Sequence, residues 1–354
     1  MGILNEIDRS RRNVMRKITQ NIGTSDFGIT IDPSAAIEVK RILISRPNDR
    51  LGNLLLITPL LQEVIAAFPD CKIDLFVRGG VATTLFKNYT NVDRIIQLPK
   101  KPFKNLLKYI GGWLALKKKR YDIVINVVKY SSSGRLSSQF ATSKYKFFGS
   151  EDEEMRSEHS DYQHIAKNAV YSFRNYLSRL RLKKSSRPAP FLDLRLTQDE
   201  IAEGGHLLQE LVKNDKKTIC IFTYATGRKR YSEEWWLAFY ERLLNEYPGY
   251  NIVEVLPIEN VSQIGFKAPS FYSKNVRELG AFIANTQIFI GADSGVMHLA
   301  SAVNTPTVGL FSVSNPKVYE PYNANSVAIN TNAGDVNSWM EVVNRILRID
   351  EINS

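Results

Sequence analysis

Short apolar runs alternate with stretches of helical period along almost the whole chain, and that alternation dictates the fold class. Arg41-Ile42-Leu43-Ile44-Ser45 reads as a buried strand, followed by a polar turn over 46–53 and an apolar helix over 54–68. Further strands are expected near 72–77, 94–98 and 122–128, with helical segments between them. Such short continuous apolar runs suit strands covered on both faces, as in a parallel sheet. Residues 180–195, RLRLKKSSRPAPFLDL, mix charge, serine and two prolines and read as a linker. The pattern then restarts, with strands at 218–223, 251–256, 287–291 and 307–311. Helices are expected at 232–247, at 276–285 and between the last two strands, and 336–349 has a helical period. The expectation is an α/β chain of two doubly wound, Rossmann-like domains facing a central cleft. The boundaries are a leader over 1–38, one domain over 39–187 and a second over 188–354.

Composition narrows the function classes. The chain has 354 residues, enough for two cores without staples, and its two cysteines, Cys71 and Cys220, read as buried free thiols. No apolar run approaches the roughly 18 residues that span a bilayer, and the N-terminus lacks the signal-peptide pattern. A cytoplasmic protein is expected. Charge is uneven: residues 1–187 hold 33 basic and 17 acidic residues, whereas 188–354 hold 14 and 19. The first half therefore touches something anionic, with nucleic acid, a membrane face and a phosphorylated substrate as the classes that fit. No nucleic-acid module is recognisable, so nucleic acid is not expected. In the leader, Ile3, Leu4, Ile7, Val14, Met15, Ile18 and Ile22 recur at near-helical spacing with arginines between them. That suits a helix packed on its own domain or one lying on a membrane surface.

Three strand-end turns carry residues suited to anions. The turn R-P-N-D-R-L-G-N (46–53) precedes a helix whose N-terminal amides can face an anion, and Gly52 permits close backbone approach. It is neither a Walker A loop nor G-x-G-x-x-G, and a plain connection reads equally well. In I-G-A-D-S-G-V-M-H (290–298), Asp293, Ser294 and Gly295 open a helix and His298 lies one turn inside. The Ser294 hydroxyl, the Gly295 amide and the helix dipole can converge on a phosphate, though an aspartate cap with a core histidine explains the same residues. In T-Y-A-T-G-R-K-R-Y-S (223–232), Thr226 offers a hydroxyl and Arg228, Lys229 and Arg230 offer cations, unless they are merely solvated. Together the last two turns suggest a diphosphate held by the second domain. Neither D-x-D nor a close His/Cys cluster is present, so no metal and no cofactor is expected.

At these positions the chain resembles glycosyltransferase family 9, the bacterial heptosyltransferases. ILISRPNDRLGNLLLITPLLQEVIAAFP is similar to that family's opening strand, turn and helix. FIGADSGVMHLASAVNTPTVGLFSVSNPKVYEPY is similar to its second hallmark, with weaker similarity at RYDIVINVV, KYKFFG and the Lys229-Arg230-Tyr231 turn. The resemblance runs from about residue 40 to 350. It implies a GT-B fold and an inverting, metal-independent transfer of heptose from ADP-heptose to an inner-core lipopolysaccharide acceptor. Carried over, Thr226 and Lys229 match positions that contact the donor pyrophosphate. Asp293, Ser294, Gly295 and His298 match the donor-binding helix start, and Glu259 matches the acid that holds the donor ribose.

One departure bears on catalysis. Family members typically read Gly-Asp where this chain reads Gly52-Asn53, and that aspartate is taken as the general base. Asn53 can orient an acceptor but cannot take its proton. Asp49, four residues earlier, is the candidate substitute; a surface ion pair with Arg46 or Arg50 is the alternative for it. Two other readings stand beside the heptosyltransferase. One keeps the fold with a different sugar nucleotide or a surface-polysaccharide acceptor; the other is a non-catalytic sugar-nucleotide-binding homologue.

The resemblance assigns the basic half to the acceptor side. Residues 100–120, KKPFKNLLKYIGGWLALKKKR, hold eight cations, no acid and eight large apolar or aromatic residues. A helix of this kind suits an anionic membrane carrying a phosphorylated glycolipid, or else an ordinary amphipathic packing. The expected partners are a nucleotide-sugar donor, an anionic glycolipid acceptor and an anionic membrane surface. Peripheral attachment to the inner face of the cytoplasmic membrane is expected.

Overall fold

Parallel pairing organises both halves of the chain. The structure, a computed structural model, describes residues 14, 16–25, 38–149, 153–182 and 185–353. Two units separate by their internal contacts: the chain to Asp49 with Pro59–Pro190, and Arg50–Thr58 with the chain from Phe191.

In the first unit, β1 (Arg41–Ser45), β2 (Lys72–Arg78), β3 (Val92–Leu98), β4 (Tyr121–Asn126) and β5 (Ser143–Phe147) form one sheet in the order β3-β2-β1-β4-β5. Every pairing is parallel. The second unit holds β6 (Thr218–Phe222), β7 (Asn251–Val255), β8 (Ser270–Phe271), β9 (Ile288–Ala292), β10 (Thr307–Phe311) and β11 (Val327–Asn330). Their order is β11-β10-β9-β6-β7-β8, again parallel throughout. Strands β6, β9 and β10 are buried at every residue, as the uninterrupted apolar runs require. The α/β class and the doubly wound topology read from the sequence are present.

The helices are α1 (Leu51–Leu55), α2 (Thr58–Ala67), α3 (Val81–Leu85), α4 (Leu106–Ala115), α5 (Ser132–Phe140), α6 (Glu153–Glu158) and α7 (Ile165–Arg179). They continue with α8 (Gln198–Val212), α9 (Glu233–Glu246), α10 (Val276–Ala284), α11 (Gly295–Ala302), α12 (Pro316–Tyr319) and α13 (Val336–Asn353). Several starts in the second unit carry polar caps. Ser232, Asn275 and Ser294 each accept a backbone N–H, and Thr197 with Glu200 forms a reciprocal capping box.

The single helix expected over 54–68 is two helices. Pro59 has no N–H to donate to the Leu55 carbonyl, and its ring crowds that carbonyl. The Thr58 hydroxyl takes the vacated acceptor at 2.8 Å. The chain therefore breaks at 56–57, and α1 clusters with the second unit.

On one face of each sheet the strands pack on a cluster of helix residues. Leu43, Phe76, Leu98 and Val124 meet Tyr109 and Trp113 in the first unit; Ile221, Ile290 and Leu310 meet Trp236, Phe239 and Met340 in the second. Cys71 and Cys220 are both buried and free. Two buried arginines pin the ends of the linker. Arg174 forks onto Glu63 at 2.8 and 2.7 Å and donates to the Arg187 carbonyl at 2.6 Å. Arg277 forks onto Glu200 at 2.6 Å twice and donates to the carbonyls of Leu194 and Arg195.

Of the leader, 16–19 are helical and sit on α5, where Arg135 donates to the carbonyls of Thr19 and Gly23. The remaining apolar positions of the expected leader helix, Ile3, Leu4, Ile7 and Met15, lie outside the described residues.

Close helix packing yields a test of opposite signs. A Cβ at Gly204 of α8 would fall on the Ala281 carbonyl of α10, whereas one at Gly111 of α4 meets nothing within 4 Å. Gly204→Ala should lower the urea midpoint by the equivalent of about 1–3 kcal/mol. Gly111→Ala should raise it by up to about 1 kcal/mol through helix propensity. Equal midpoints for the two variants would refute the packing.

Candidate active site

Strands β6 and β9 are neighbours, but the chain leaves β6 towards β7 and leaves β9 towards β10, on opposite sides. That makes their carboxyl ends the switch point of the sheet, where doubly wound folds bind ligands. After β6 the chain runs through Thr226 into a tight turn, Gly227–Lys229, entered by Gly227 at φ +66°. After β9 it runs through Asp293 and Ser294 into α11.

These two loops meet. Lys229 Nζ lies 2.5 Å from Asp293 Oδ2. Asp293 is buried, with 6% of its side chain exposed, whereas Lys229 keeps 38%. The ammonium also stands 5.8 Å from the ring centroid of Tyr319. Arg230 instead folds onto its own turn, donating to the Ala225 carbonyl at 3.1 Å and stacking 4.3 Å over Tyr224. Among the cations at 228–230, Lys229 is thus the one held against the start of α11.

Ser294 caps α11, its hydroxyl oxygen accepting from the Met297 N–H at 3.2 Å. The hydroxyl proton can still be donated outward, beside the first amides and the positive end of the helix dipole. His298 is one turn in and nearly fully buried. Helix α1 packs directly on this turn. A Cβ at Gly52 would lie 2.8 Å from His298 Cδ2 and 3.3 Å from Gly295 Cα, and one at Gly295 would lie 3.1 Å from the Gly52 nitrogen. Two glycines face each other so that the helices can touch at backbone distance.

Beneath the first loop, Thr223 locks the exit of β6. Its hydroxyl donates to the buried Glu254 and accepts from the Gln263 N–H at 3.1 Å. Burial pushes the Glu254 carboxyl above its usual range, and hydrogen bonds from Ser262 and Thr223 partly oppose this.

Residues 273–340, which include this helix start, match the family described as "Glycosyltransferase family 9 (heptosyltransferase)". Escherichia coli lipopolysaccharide heptosyltransferase 3 is 44% identical over 50 residues, a stretch covering 14% of this chain and 15% of that protein. Campylobacter coli lipopolysaccharide heptosyltransferase 1 is 24% identical over 289 residues, covering 75% of this chain and 82% of the relative. The solved E. coli ADP-heptose lps heptosyltransferase II superposes with a TM-score of 0.63 at 17% identity, over 88% of this chain and 99% of that one. The chain is similar to glycosyltransferase family 9, and the family match lies in residues 273–340. Its two parallel sheets are those of the GT-B fold.

The residues expected at the donor end are distributed unevenly. Lys229, Asp293, Ser294, Gly295 and His298 come together at the switch point. Thr226 is exposed at the head of the Gly227–Lys229 turn. Glu259 is exposed in a turn after β7, closed by the Asn260 N–H on the Pro257 carbonyl at 2.8 Å, at the same sheet edge as the β6 loop. Gly52 serves the close approach of α1 to α11, and Asn53 follows it on α1, half-buried.

Asp49 belongs to the first unit. The turn before it is laid along β2, where the Arg78 N–H reaches the Asn48 carbonyl at 3.2 Å, and Gly79 leaves room for the Asp49 side chain. Two site neighbours escaped the sequence reading. Tyr319 packs near the Lys229 ammonium. Tyr231 donates to or accepts from Thr331 Oγ1 at 2.7 Å. Burial raises the Tyr231 phenol, hydrogen bonds from Thr331 and Ser312 oppose it, and the Asp293 charge adds to it. Both tyrosines lie in stretches that resemble the family, but nothing in one sequence marks them as neighbours of one lysine.

The Gly52–His298 contact can be measured as a cycle. Gly52→Ala should destabilise because its methyl meets the imidazole, and His298→Ala should destabilise by emptying a buried site. In the double variant the methyl enters the space left by the ring. The two losses should then fall short of additive by about 0.5–3 kcal/mol. Strict additivity in urea unfolding would show that the two residues do not touch.

Proposed function

We propose that this enzyme transfers heptose from ADP-heptose to an inner-core lipopolysaccharide acceptor, inverting the anomeric centre without a metal. The observation that carries the reading is the Lys229–Asp293 pair at the start of α11, a cation and a helix N-terminus converging on one point of the switch edge. The named relatives, lipopolysaccharide heptosyltransferases, and the solved ADP-heptose enzyme support the choice of donor and acceptor.

The chemistry then assigns each group a task. An inverting transfer is one displacement: the acceptor oxygen bonds to the anomeric carbon as the bond from that carbon to the ADP oxygen breaks. Negative charge grows on the departing diphosphate. Lys229, the α11 amides and the Ser294 hydroxyl stand where that charge would be met, and such preorganised donors lower the barrier most where charge develops. Thr226 adds a hydroxyl at the same loop, and Glu259 is placed to accept from the donor ribose. Asp293 holds the Lys229 ammonium in position until the diphosphate arrives.

The acceptor proton must leave to a carboxylate. Asn53 has no proton affinity at neutral pH, so the reading gives the base to Asp49 and leaves Asn53 to orient the acceptor hydroxyl.

Two variants test the two ends of the reaction. Lys229→Ala should weaken ADP binding at least tenfold, read as loss of the thermal shift that saturating nucleotide confers, about 2.7 kcal/mol at 100 times the dissociation constant. An unchanged ADP shift, or a shift given equally by UDP and GDP, would overturn the donor assignment. Asp49→Asn should cut kcat by about 100-fold or more while the ADP shift persists. Full activity in that variant would move the base elsewhere, whereas a gain on Asn53→Asp alone would mean that the wild-type chain lacks an effective base.

A further inference from the structure

Helix α4 and the turn before it expose an apolar face that the first unit does not use. No residue of α4 is buried. Its inner side rests on the unit through Trp113, which meets Phe76 and Phe140 edge-on at 5.5 and 5.9 Å, and through Gly112, close against Leu98. The opposite side carries Phe103 at 90% exposure, Leu106 at 55%, Leu107 at 87%, Ile110 at 45% and Leu114 at 55%. At 3.6 residues per turn the four on α4 fall within an arc of about 100°, along a helix roughly 15 Å long, and Phe103 extends the strip from the Pro102–Lys104 turn before it. Isolated exposed leucines are ordinary in a soluble protein, but a contiguous apolar strip is not.

What surrounds the strip selects its occupant. Residues 100–120 contain eight cations and no acid. A second copy of this chain laid face to face would bring sixteen cations together with nothing to neutralise them. A bilayer with anionic headgroups offers phosphate oxygens to the cations and acyl chains to the apolar strip at the depth each needs. No helix among the described residues is long and apolar enough to cross a membrane, so any contact made by these elements is with one leaflet.

We propose that the α4 face docks on an anionic membrane surface, inserting Phe103, Leu106, Leu107, Ile110 and Leu114 at the headgroup–acyl boundary while the flanking lysines bind lipid phosphates. The attachment is apolar as well as electrostatic, and it is independent of which sugar nucleotide the second unit takes.

Flotation of the full chain with vesicles separates these contributions. Wild type should float with phosphatidylcholine vesicles containing phosphatidylglycerol and should not float with phosphatidylcholine alone. Phe103→Asp with Leu107→Asp changes two side chains that support no core; it should abolish flotation even at low salt, with the ADP thermal shift unchanged. Lys104→Gln, Lys108→Gln and Lys118→Gln together should weaken binding by roughly 100-fold, about fivefold per cation. Wild type that stays in solution with anionic vesicles overturns the proposal. So does an aspartate pair that floats like wild type, which would reduce the contact to charge alone. A concentration-dependent dimer in solution that Leu107→Asp dissociates would assign the face to self-association instead. In each case the ADP shift reports separately on the transferase reading.

Discussion

Among the described residues every strand pairing is parallel, and the rest of the architecture follows from that constraint. Parallel strands must be joined by crossovers that return the chain to the starting edge, so all strands end at one edge and helices cover both faces. The strands then lie in an apolar interior, which is why β6, β9 and β10 contain no exposed residue. Polar chemistry is driven to the loops at the carboxyl edge. At the β6–β9 boundary the crossovers diverge, no connection covers the edge, and the loops after both strands can turn towards each other. Lys229 and Asp293, 64 positions apart in sequence, meet there because the sheet order places their strands side by side.

The ion pairs of the second unit show how that edge differs from the scaffold. Arg277 is buried, forks onto Glu200 and spends its remaining donors on two carbonyls. Removing Glu200 would strand the buried guanidinium, at a cost of several kcal/mol, so this pair is committed to holding the linker end. Lys229 is a single point of charge, more than one-third exposed, and its aspartate sits at the positive end of α11. The ammonium reaches solvent while the carboxylate is buried beside the helix start. An incoming diphosphate carries more charge than one carboxylate and can share the lysine through its exposed side. In the first pair the cation is the buried member and its donors are spent on several acceptors, whereas in the second the cation is the partly exposed member and stays open to a further anion.

Much of this was legible in the sequence, for identifiable reasons. Strand cores are local statements, so the runs at 41–45, 218–223 and 287–291 appear as strands within a residue or two. Turn chemistry is local as well, and the cap at Ser294 and the cations at 228–230 could be read from spacing alone. Contacts between distant segments could not. Gly52 looked like a loop glycine shaped for an anion, but its place is set by Gly295 and His298, more than 240 positions away. The choice of Lys229 over its neighbours depends on Arg230 finding Tyr224 first. The break at Pro59 was readable in principle, but the apolar periodicity on both sides of it outweighed the proline. For residues 100–120 the sequence left core packing and surface contact equally open, because both need apolar residues at helical spacing. Only the exposure of the outer arc separates them.

The charge asymmetry along the chain gains a physical account from these two features. A diphosphate site needs few cations if they are well placed, because a buried helix start and one fixed lysine act at short range in a poorly screened environment. The second unit can therefore remain mildly acidic overall and still favour an anion at one point. A membrane contact works differently: each exposed lysine acts through solvent, is screened within about 10 Å at 0.1 M salt, and contributes about 1 kcal/mol. Useful affinity then requires many cations and some apolar contact that salt does not screen. The +16 excess of residues 1–187, with eight cations gathered around α4, is the composition that such a contact demands. On the two proposals above, charge is concentrated in one unit and geometry in the other, so that a single chain would meet two anions, one small and fixed, the other extended and fluid.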